Sequence, residues 1–277
     1  MPRLPLTIVG GDAGAGKTTL LGQLQGQEHV VGVATLLDVG DLSADLAELR
    51  PRLDASAHVL IEARGDSSLR RVAGYGYMPG YRLDGIIVVM NARDIHDRLP
   101  DGALRGHMTT HLRDADILII NKLDVVESGK RTLHHAWLDD ELPRLRVIET
   151  CQGKVAGSLL LGVSPDVARQ DARAVPGNWE TTYRPPRRNR LMRRTEPEEP
   201  RCRVWSIQTP EPIAAQRFRT WISLLPRTVV RGRGDVLIEE DPQLRYQFNM
   251  IGHRWHLQRE RPWGSTAPET QLTLVGM

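Results

Sequence analysis

Short apolar runs alternate with polar, helix-compatible segments along the chain as far as about residue 151. The runs are rich in valine and isoleucine and do not alternate with polar positions, which is typical of strands buried on both faces. Strand–helix alternation of this kind predicts an α/β fold, in which helices cover both faces of a parallel sheet. The predicted strands are 6–10, 29–37, 58–63, 84–92, 115–121 and 146–150, and the predicted helices are 18–27, 41–50, about 100–113 and 130–142.

The pattern changes after residue 164. Segment 165–203 is rich in proline and arginine and lacks apolar periodicity, which predicts a linker that is partly disordered. We therefore expect a first domain at 1–164 and a small α+β domain at 204–277. The elements predicted around the second domain are a strand at 202–209, a helix at 211–226, a strand, turn and strand at 228–240, and single strands at 246–260 and 270–277.

Composition narrows the class of protein. Hydrophobic residues make up 40% of the chain and charged residues 26%, as in ordinary soluble globular proteins. No apolar stretch reaches the roughly 18–20 residues that cross a membrane, and the N-terminus lacks the apolar core of a signal peptide. We therefore expect a cytoplasmic protein without membrane contact. The two cysteines, Cys151 and Cys202, lie in no CxxC pair, so their spacing predicts neither a disulfide framework nor a thiolate metal site.

The net charge of +3 is modest, but eight arginines fall within 184–203. Such a run can contact nucleic acid or an acidic partner, and the alternative is a solvated linker. We favour the linker because no aromatic residue follows Tyr183 within the run and EPEEP interrupts its end. Nucleic-acid binding is therefore not the expected function.

The segment between the first predicted strand and helix has the form G-x-x-x-x-G-K-[ST]. Glycines permit a backbone ring whose N–H groups point at an anion, and the helix start adds further N–H groups. The lysine places a mobile charge on the terminal phosphates, and the threonine hydroxyl can bind Mg²⁺. We therefore predict a P-loop NTPase-type fold. The predicted phosphate-binding residues are Gly11, Gly14, Ala15, Gly16, Lys17, Thr18 and Thr19.

A second motif, N-K-x-D, ends the strand predicted at 115–121. The carboxylate of Asp124 can accept hydrogen bonds from both guanine N–H groups, which adenine does not offer, while Asn121 can contact the opposite edge and Lys122 can lie across the base. Asn and Asp are also common in ordinary strand-end turns. At the carboxyl end of a strand downstream of a phosphate loop, however, the motif favours GTP over ATP.

The third motif, Glu62-Ala63-Arg64-Gly65, follows the strand predicted at 58–63. A carboxylate there can hold Mg²⁺ through water, and the Gly65 N–H can approach the γ-phosphate. The alternative is a glutamate that only ends a strand. The candidate catalytic residues are therefore Lys17, Glu62 and Gly65, the candidate magnesium ligands are Thr18 and Glu62, and the expected cofactors are GTP and Mg²⁺.

Together these motifs and the C-terminal sequence resemble the CobW-like family of GTP-binding metal chaperones, which are similar to the nickel-insertion GTPases of urease and hydrogenase maturation. The matching stretches are GGDAGAGKTTLL, EARG, NKLD, PIAAQRFRTWISLLPRTVVRGRGDVLI, YQFNMIGHRW and TQLTLVGM. The resemblance covers nearly the whole chain except the linker. It implies a GTPase domain, a CobW-type C-terminal domain at 204–277 and a client protein. At the family's R-x-K-G position, Arg233 replaces the lysine.

The segment between the phosphate loop and EARG is shorter than is usual in the family and lacks its C-x-C-C thiolate motif. The Gly40-Asp41-Leu42 that follows this motif in the family is present. Counted back from it, Val33, Thr35 and Leu36 occupy the thiolate positions; in an alternative alignment, 29–37 is the second strand and the cysteine segment is deleted. In either alignment a soft-metal thiolate site cannot form there.

Three pairs of histidines could replace the thiolates. Because no further ligands lie nearby in sequence, we expect surface or partly buried histidines rather than a metal site. The pairs are His107 and His111, four apart on a predicted helix; the adjacent His134 and His135, which would diverge; and His253 and His256, on opposite faces of a predicted strand.

The expected function is that of a GTP-binding accessory protein that hydrolyses GTP slowly to engage or release a client, for example in metal or cofactor delivery. Slow turnover is expected because the shortened segment would normally close over the γ-phosphate and orient water. Asp38 or Asp41 could substitute for it, and Arg64 is a candidate internal charge stabiliser. The alternatives are a non-hydrolysing nucleotide-binding regulator and a nucleic-acid binder that uses the arginine-rich linker.

Overall fold

A computed structural model describes residues 3–27, 33–38, 40–54, 57–65, 67–126, 128–162 and 202–277. Within this part, the chain forms two compact units, the first ending at Gly157 and the second beginning at Ser158. The predicted linker, 165–203, lies outside the described residues except for Cys202 and Arg203, and so does the start of the strand predicted at 29–37. No helix of the described segments combines the length and apolar character that crossing a membrane requires.

The first unit is built on a six-stranded sheet with the order β2-β3-β1-β4-β5-β6, in which all neighbouring strands run parallel. The predicted α/β class is therefore confirmed. The β4 strand begins earlier than expected because Tyr81, Arg82 and Leu83 pair with the start of β1. The strands are β1 Leu4–Gly10, β2 Val33–Leu37, β3 His58–Glu62, β4 Tyr81–Asn91, β5 Ile117–Asn121 and β6 Arg146–Glu149.

Helices lie on both faces of this sheet. Val59 and Ile61 of β3 pack in a core cluster with residues from α2 to α6, whereas Glu62 points to the other face and bonds to Thr18 of α1. The helices of this unit are α1 Lys17–Gln25, α2 Leu42–Leu49, α3 Leu69–Ala73, α4 Ala92–Arg98, α5 Gly102–Leu112 and α6 Ser128–Glu141; α7 Gly157–Leu161 begins at its last residue and belongs otherwise to the second unit.

Three short helices, α3, α4 and α7, were not predicted from the sequence. They have only 5, 7 and 5 residues, too few to show a clear helical period. Both α3 and α4 begin at a residue whose side chain caps the helix: Ser68 accepts from the Arg71 N–H, and Asn91 accepts from the Arg93 N–H. These N-cap residues are the local signals that could have revealed those two helices.

In its described residues, the second unit contains most of α7, a five-stranded antiparallel sheet with the order β10-β9-β8-β11-β7, and a further helix, Ala215–Ser223. The helix is shorter than predicted because Ile213 instead forms a bridge to Ile238. Phe218 and Ile222 of the helix are buried against the sheet, with Phe218 edge-on to Phe248 at 5.3 Å. The strands are β7 Arg203–Thr209, β8 Val229–Leu237, β9 Leu244–Ile251, β10 Arg254–Pro262 and β11 Thr270–Gly276.

Two predictions in this unit were wrong. Segment 228–240 holds one continuous strand rather than two, because Gly232 and Gly234 serve close packing: a Cβ on Gly234 would lie 1.9 Å from the Gln271 carbonyl oxygen. Conversely, 246–260 holds two strands, separated by a turn at Gly252, whose φ is 57°.

Candidate nucleotide-binding site

The phosphate loop connects β1 to α1 at the carboxyl edge of the sheet. Gly11, Gly14 and Gly16 have φ values of 129°, 75° and 103°, a region that favours glycine. A Cβ on Gly11 would lie 1.9 Å from the Val89 carbonyl oxygen, and one on Gly16 would lie 2.3 Å from Asn121 Nδ2. No side chain caps α1 after Gly16, so the N–H groups of its first turn are available to an anion.

The lysine of the loop is folded back over it. Lys17 is only 8% exposed, and its Nζ donates to the carbonyl oxygens of Gly11 at 2.8 Å and Asp12 at 3.0 Å. Its ammonium group is therefore held by the loop itself, beside the predicted phosphate position. Ala15 is buried, whereas Thr18 and Thr19 are exposed in the first turn of α1.

The two candidate magnesium ligands lie side by side. Thr18 Oγ1 donates to Glu62 Oε1 at 2.8 Å. Glu62 is the last residue of β3, in register with Val9 of β1, so both ligands lie at the edge where the phosphate loop begins. The pairing of a hydroxyl with a carboxylate supplies the hard oxygen donors that Mg²⁺ prefers.

A cleft of about 530 Å³ opens beside the loop. Gly65 lies against the loop, where a Cβ would come within 3.0 Å of the Ala13 nitrogen. The cleft is lined by Ala13, Lys17, Leu37, Asp38, Glu62, Ala63, Arg64 and Gly65.

Of the two aspartates considered for the shortened segment, Asp38 lies in this cleft and Asp41 does not line it. Asp41 instead caps α2 by accepting from the Ser43 and Ala44 N–H groups. Asp38 is buried and accepts hydrogen bonds from Ser67 Oγ at 2.5 Å and from Arg71 at 3.3 Å. Sequence reasoning missed Ser67 and Arg71, because they contact Asp38 only through the fold.

The residues of the N-K-x-D motif occupy the turn after β5. Asn121 is 2% exposed; its Nδ2 donates to the Ala15 carbonyl oxygen at 3.0 Å, and its Oδ1 accepts from the Gly153 N–H at 3.0 Å. Asn121 thus ties the phosphate loop to the turn after β5 and to the loop after β6, whereas the prediction gave its side chain a contact with the edge of guanine. Lys122 has a left-handed φ of 62°, and Asp124 lies exposed in the 3₁₀ turn Leu123–Val125.

The loop after β6 is a part of the site that sequence reasoning missed. Gln152 and Gly153 have positive φ values of 55° and 68°, and a Cβ on Gly153 would lie 3.0 Å from the Leu20 nitrogen in α1. Thr150 Oγ1 holds the turn by donating to the Lys154 carbonyl oxygen at 2.6 Å. A glycine just past a strand at the ligand-binding edge was the available signal.

The candidate histidines do not converge. Among the residues whose placement is described, no group of three His, Cys, Asp or Glu side chains is arranged to hold a metal ion. His134 is buried and His135 is exposed and bonded to Glu149; His253 lies in the turn after β9 and His256 on β10; His111 is half-buried on α5, and the His107 side chain lies outside the described part. Val33, Thr35 and Leu36 lie on β2, and Cys151 and Cys202 belong to different units.

A six-stranded parallel sheet, with a glycine loop between β1 and α1, defines a P-loop nucleotide-binding fold. The family model for the CobW/HypB/UreG nucleotide-binding domain matches residues 37–148, and the model for the cobalamin synthesis protein cobW C-terminal domain matches 202–277. The two matches cover more than half of the chain, which therefore belongs to the CobW/HypB/UreG family of GTPases, relatives of the metallochaperones.

Solved structures similar to the chain include the Zn(II)-bound YjiA GTPase from E. coli, with a TM-score of 0.45 and 17% identity over 100% of this chain and 95% of that one. A Zn(II)-bound triple mutant of YjiA has a TM-score of 0.46 with the same identity and coverage. HypB from Helicobacter pylori in complex with nickel has a TM-score of 0.39 and 15% identity, over 55% of this chain and 80% of that one. No curated protein matches the sequence significantly.

Proposed function

We propose that the chain is a GTP-dependent accessory protein that binds GTP with Mg²⁺, hydrolyses it slowly and uses the two nucleotide states to engage and release a client protein. The observation that carries the proposal is the meeting of three motifs at one sheet edge. The phosphate loop lies beside the Thr18–Glu62 pair, and Asn121 connects that loop directly to the N-K-x-D turn. One nucleotide can therefore reach all three.

Phosphate binding rests on backbone N–H groups and on Lys17. The Lys17 ammonium already lies over the loop, bonded to two carbonyl oxygens that carry only partial charge. A terminal phosphate offers a full negative charge, and hydrogen bonds to charged groups are stronger than those between neutral groups. We expect Lys17 to exchange the carbonyl contacts for phosphate oxygens when GTP binds.

The Thr18–Glu62 pair fits a magnesium ion. The Thr18 hydroxyl donates a hydrogen bond to Glu62, so its oxygen keeps its lone pairs for a cation. When bound, Mg²⁺ would neutralise charge on the terminal phosphates. Both side chains project from rigid elements, the first turn of α1 and the end of β3, which keeps them together without a ligand.

Base recognition is assigned to Asp124 and Lys122. Asp124 is exposed at the end of the site, where its carboxylate can accept from both guanine N–H groups. The left-handed backbone of Lys122 turns the chain between Asn121 and Asp124. Asn121 can therefore bond to the phosphate loop while the exposed Asp124 is accessible to the base.

Slow hydrolysis follows from the state of Asp38. It is the acidic side chain of the shortened segment that lines the cleft, and it is engaged by Ser67 and Arg71. A carboxylate that orients the attacking water must face the γ-phosphate. Asp38 would have to leave these partners to do so, so we expect turnover without a client to fall below about one per minute, far under the typical enzyme median of ~10 s⁻¹.

Client engagement would follow the nucleotide. Ser67 and Arg71 link Asp38 to the loop that precedes α3 and to α3 itself, so a movement of Asp38 toward the γ-phosphate would shift this part of the surface. Metal or cofactor delivery is the function that the family's relationship to metallochaperones favours.

Titration calorimetry with GTP and ATP in Mg²⁺ tests the proposal, with Lys17→Ala as the site variant. Because a charge-assisted bond contributes about 1.5–3 kcal/mol, Lys17→Ala should weaken GTP binding by roughly ten- to a hundredfold. Arg52→Ala is the matched control; it removes one cation from the exposed pair with Glu48 and should leave affinity unchanged. Equal affinity of wild type and Lys17→Ala would refute the site.

A further inference from the structure

The phosphate loop carries a negative charge of its own. Asp12 is its second residue, and its carbonyl oxygen accepts from Lys17 Nζ at 3.0 Å. A carboxylate in this position repels the phosphates of a nucleoside triphosphate. Like charges in a partly desolvated site make the binding free energy less favourable and so lower the affinity. An uncompensated Asp12 would therefore oppose the function proposed for the loop.

The compensating charge comes from Arg98, the last residue of α4. Its Nη1 lies 2.5 Å from Asp12 Oδ2. The side chains of Arg98 and Asp12 are 36% and 35% exposed, so neither is fully screened by water. The pair connects α4, which begins at the carboxyl end of β4, to the phosphate loop.

We propose that Arg98 is a positioning residue that sets nucleotide affinity by neutralising Asp12, an inference that rests on the proposed GTP site. Through Asp12, it keeps the phosphate loop attractive to an anion. The residue is far from the loop in sequence, and no motif includes it; only the fold brings it within reach of Asp12.

Charge neutralisation makes a prediction that differs in sign from that of a mechanical clamp. If Arg98 only clamps the loop, removal of either partner loosens it, so Arg98→Ala and Asp12→Asn both weaken binding. If Arg98 neutralises Asp12, the first variant leaves an unpaired negative charge and the second an unpaired positive one. The two variants then change GTP affinity in opposite directions.

The double variant separates neutralisation from a third possibility, in which Arg98 leaves Asp12 and binds the phosphates itself. A direct phosphate contact is lost whenever Arg98 is lost, so the double variant would bind as weakly as Arg98→Ala. Under neutralisation, the double variant has no unpaired charge on either side. Its affinity therefore returns close to that of the wild type.

The experiment is a calorimetric titration of the full chain with GTP and Mg²⁺ at low salt. We expect Arg98→Ala to weaken binding by about three- to tenfold, Asp12→Asn to strengthen it by a similar factor and the double variant to bind within about twofold of the wild type. At about 1 M salt, where the Debye length is near 3 Å, the ratio of each variant's affinity to that of the wild type should approach one.

One control variant and two distinguishable outcomes keep the result interpretable. Arg52→Ala removes the same charge from the pair with Glu48 and should bind like the wild type. If the wild type binds GTP in a Lys17-dependent manner but the double variant stays as weak as Arg98→Ala, or both single variants weaken binding, this inference fails and the GTP site stands. If the wild type does not bind GTP, the proposed function itself fails.

Discussion

The two ends of the proposed site differ in how they are held. At the phosphate end, three glycines have positive φ and a lysine side chain bonds to loop carbonyl oxygens, whereas at the base end one exposed aspartate lies in a 3₁₀ turn. The first region admits few substitutions, because its three glycines have positive φ values and a side chain at Gly11 or Gly16 would collide with β4 or β5. The second can change a side chain without disturbing any buried contact. Affinity for phosphates is therefore tied to the fold, and the choice of base is not.

The largest expected effect tests the base end. Asp124→Asn should shift preference from GTP toward xanthosine triphosphate by about a hundredfold or more, because two charge-assisted bonds to guanine are lost and the amide can donate to the extra oxygen of xanthine. Competition binding measures the ratio, and the fold should stay intact because Asp124 is exposed. Asp140→Asn, an equally exposed change on α6, should leave the ratio unchanged; an undiminished preference for GTP in Asp124→Asn would contradict the assignment.

A second experiment breaks the connection between the two ends. Asn121→Ala leaves the Ala15 carbonyl and the Gly153 N–H without their buried partner, which should lower the unfolding free energy of the first unit by about 2–4 kcal/mol. GTP affinity should fall about tenfold, because the loop loses its anchor. Denaturant unfolding followed by far-UV circular dichroism measures the stability, and calorimetry measures the affinity.

Asn91→Ala is the comparison for that experiment. Asn91 ends β4 next to Asn121 in the sheet but caps α4 with an exposed bond, so it should cost only about 1 kcal/mol. Equal costs for the two asparagines would mean that the buried amide does not hold the ends together.

A third, smaller effect concerns the phosphate end. Ser67→Ala removes the 2.5 Å bond to Asp38, so Asp38 can turn toward the cleft more readily and kcat should rise severalfold with KM unchanged. Asp38→Asn should lower kcat by about tenfold or more, since it removes the carboxylate that would orient water. Steady-state phosphate release measures both. A fall in kcat for Ser67→Ala would instead mean that Ser67 positions Asp38 productively.

The smallest expected effect is on stability and concerns the strand next to β5. There, His135 of α6 bonds to Glu149 of β6 at 2.9 Å. The hydrogen bond to Glu149 raises the pKa of His135 above its usual value of 6.5. The stabilisation is therefore fully present below about pH 6.5 and is lost as the pH rises through the raised value.

Because His135 is about half exposed, Glu149→Gln should cost well under 1 kcal/mol at pH 6 and close to nothing at pH 9. Denaturant unfolding at the two pH values measures the difference. His135→Gln should remove the same pH dependence; if it persists in that variant, another group is responsible for it.

Periodicity and glycine spacing were sufficient to predict the parallel sheet, because strands buried on both faces leave long apolar runs such as ILII before Asn121. Sequence patterns could not show that the Asn121 side chain bonds to Ala15 and Gly153, or that Ser67 bonds to Asp38, because those hydrogen bonds join distant parts of the chain. In the second unit, the turn predicted within 228–240 was wrong because a contact with a distant strand decided the local structure. Glycine usually marks a turn, but Gly234 sits inside β8 because Gln271 of the neighbouring strand approaches too closely for a side chain.

The two glycines of β8 also decide which positions of the Arg231–Gly234 segment can carry a larger side chain. Packing against Phe248 and Gln271 leaves no room for a Cβ at 232 or 234, while the residue between them, Arg233, is exposed. A side chain at either glycine would need room that the neighbouring strands do not offer, so a substitution there should lower the stability of the second unit. A lysine or an arginine at 233 places its side chain outside that packing, so the strand can carry either cation between its two glycines.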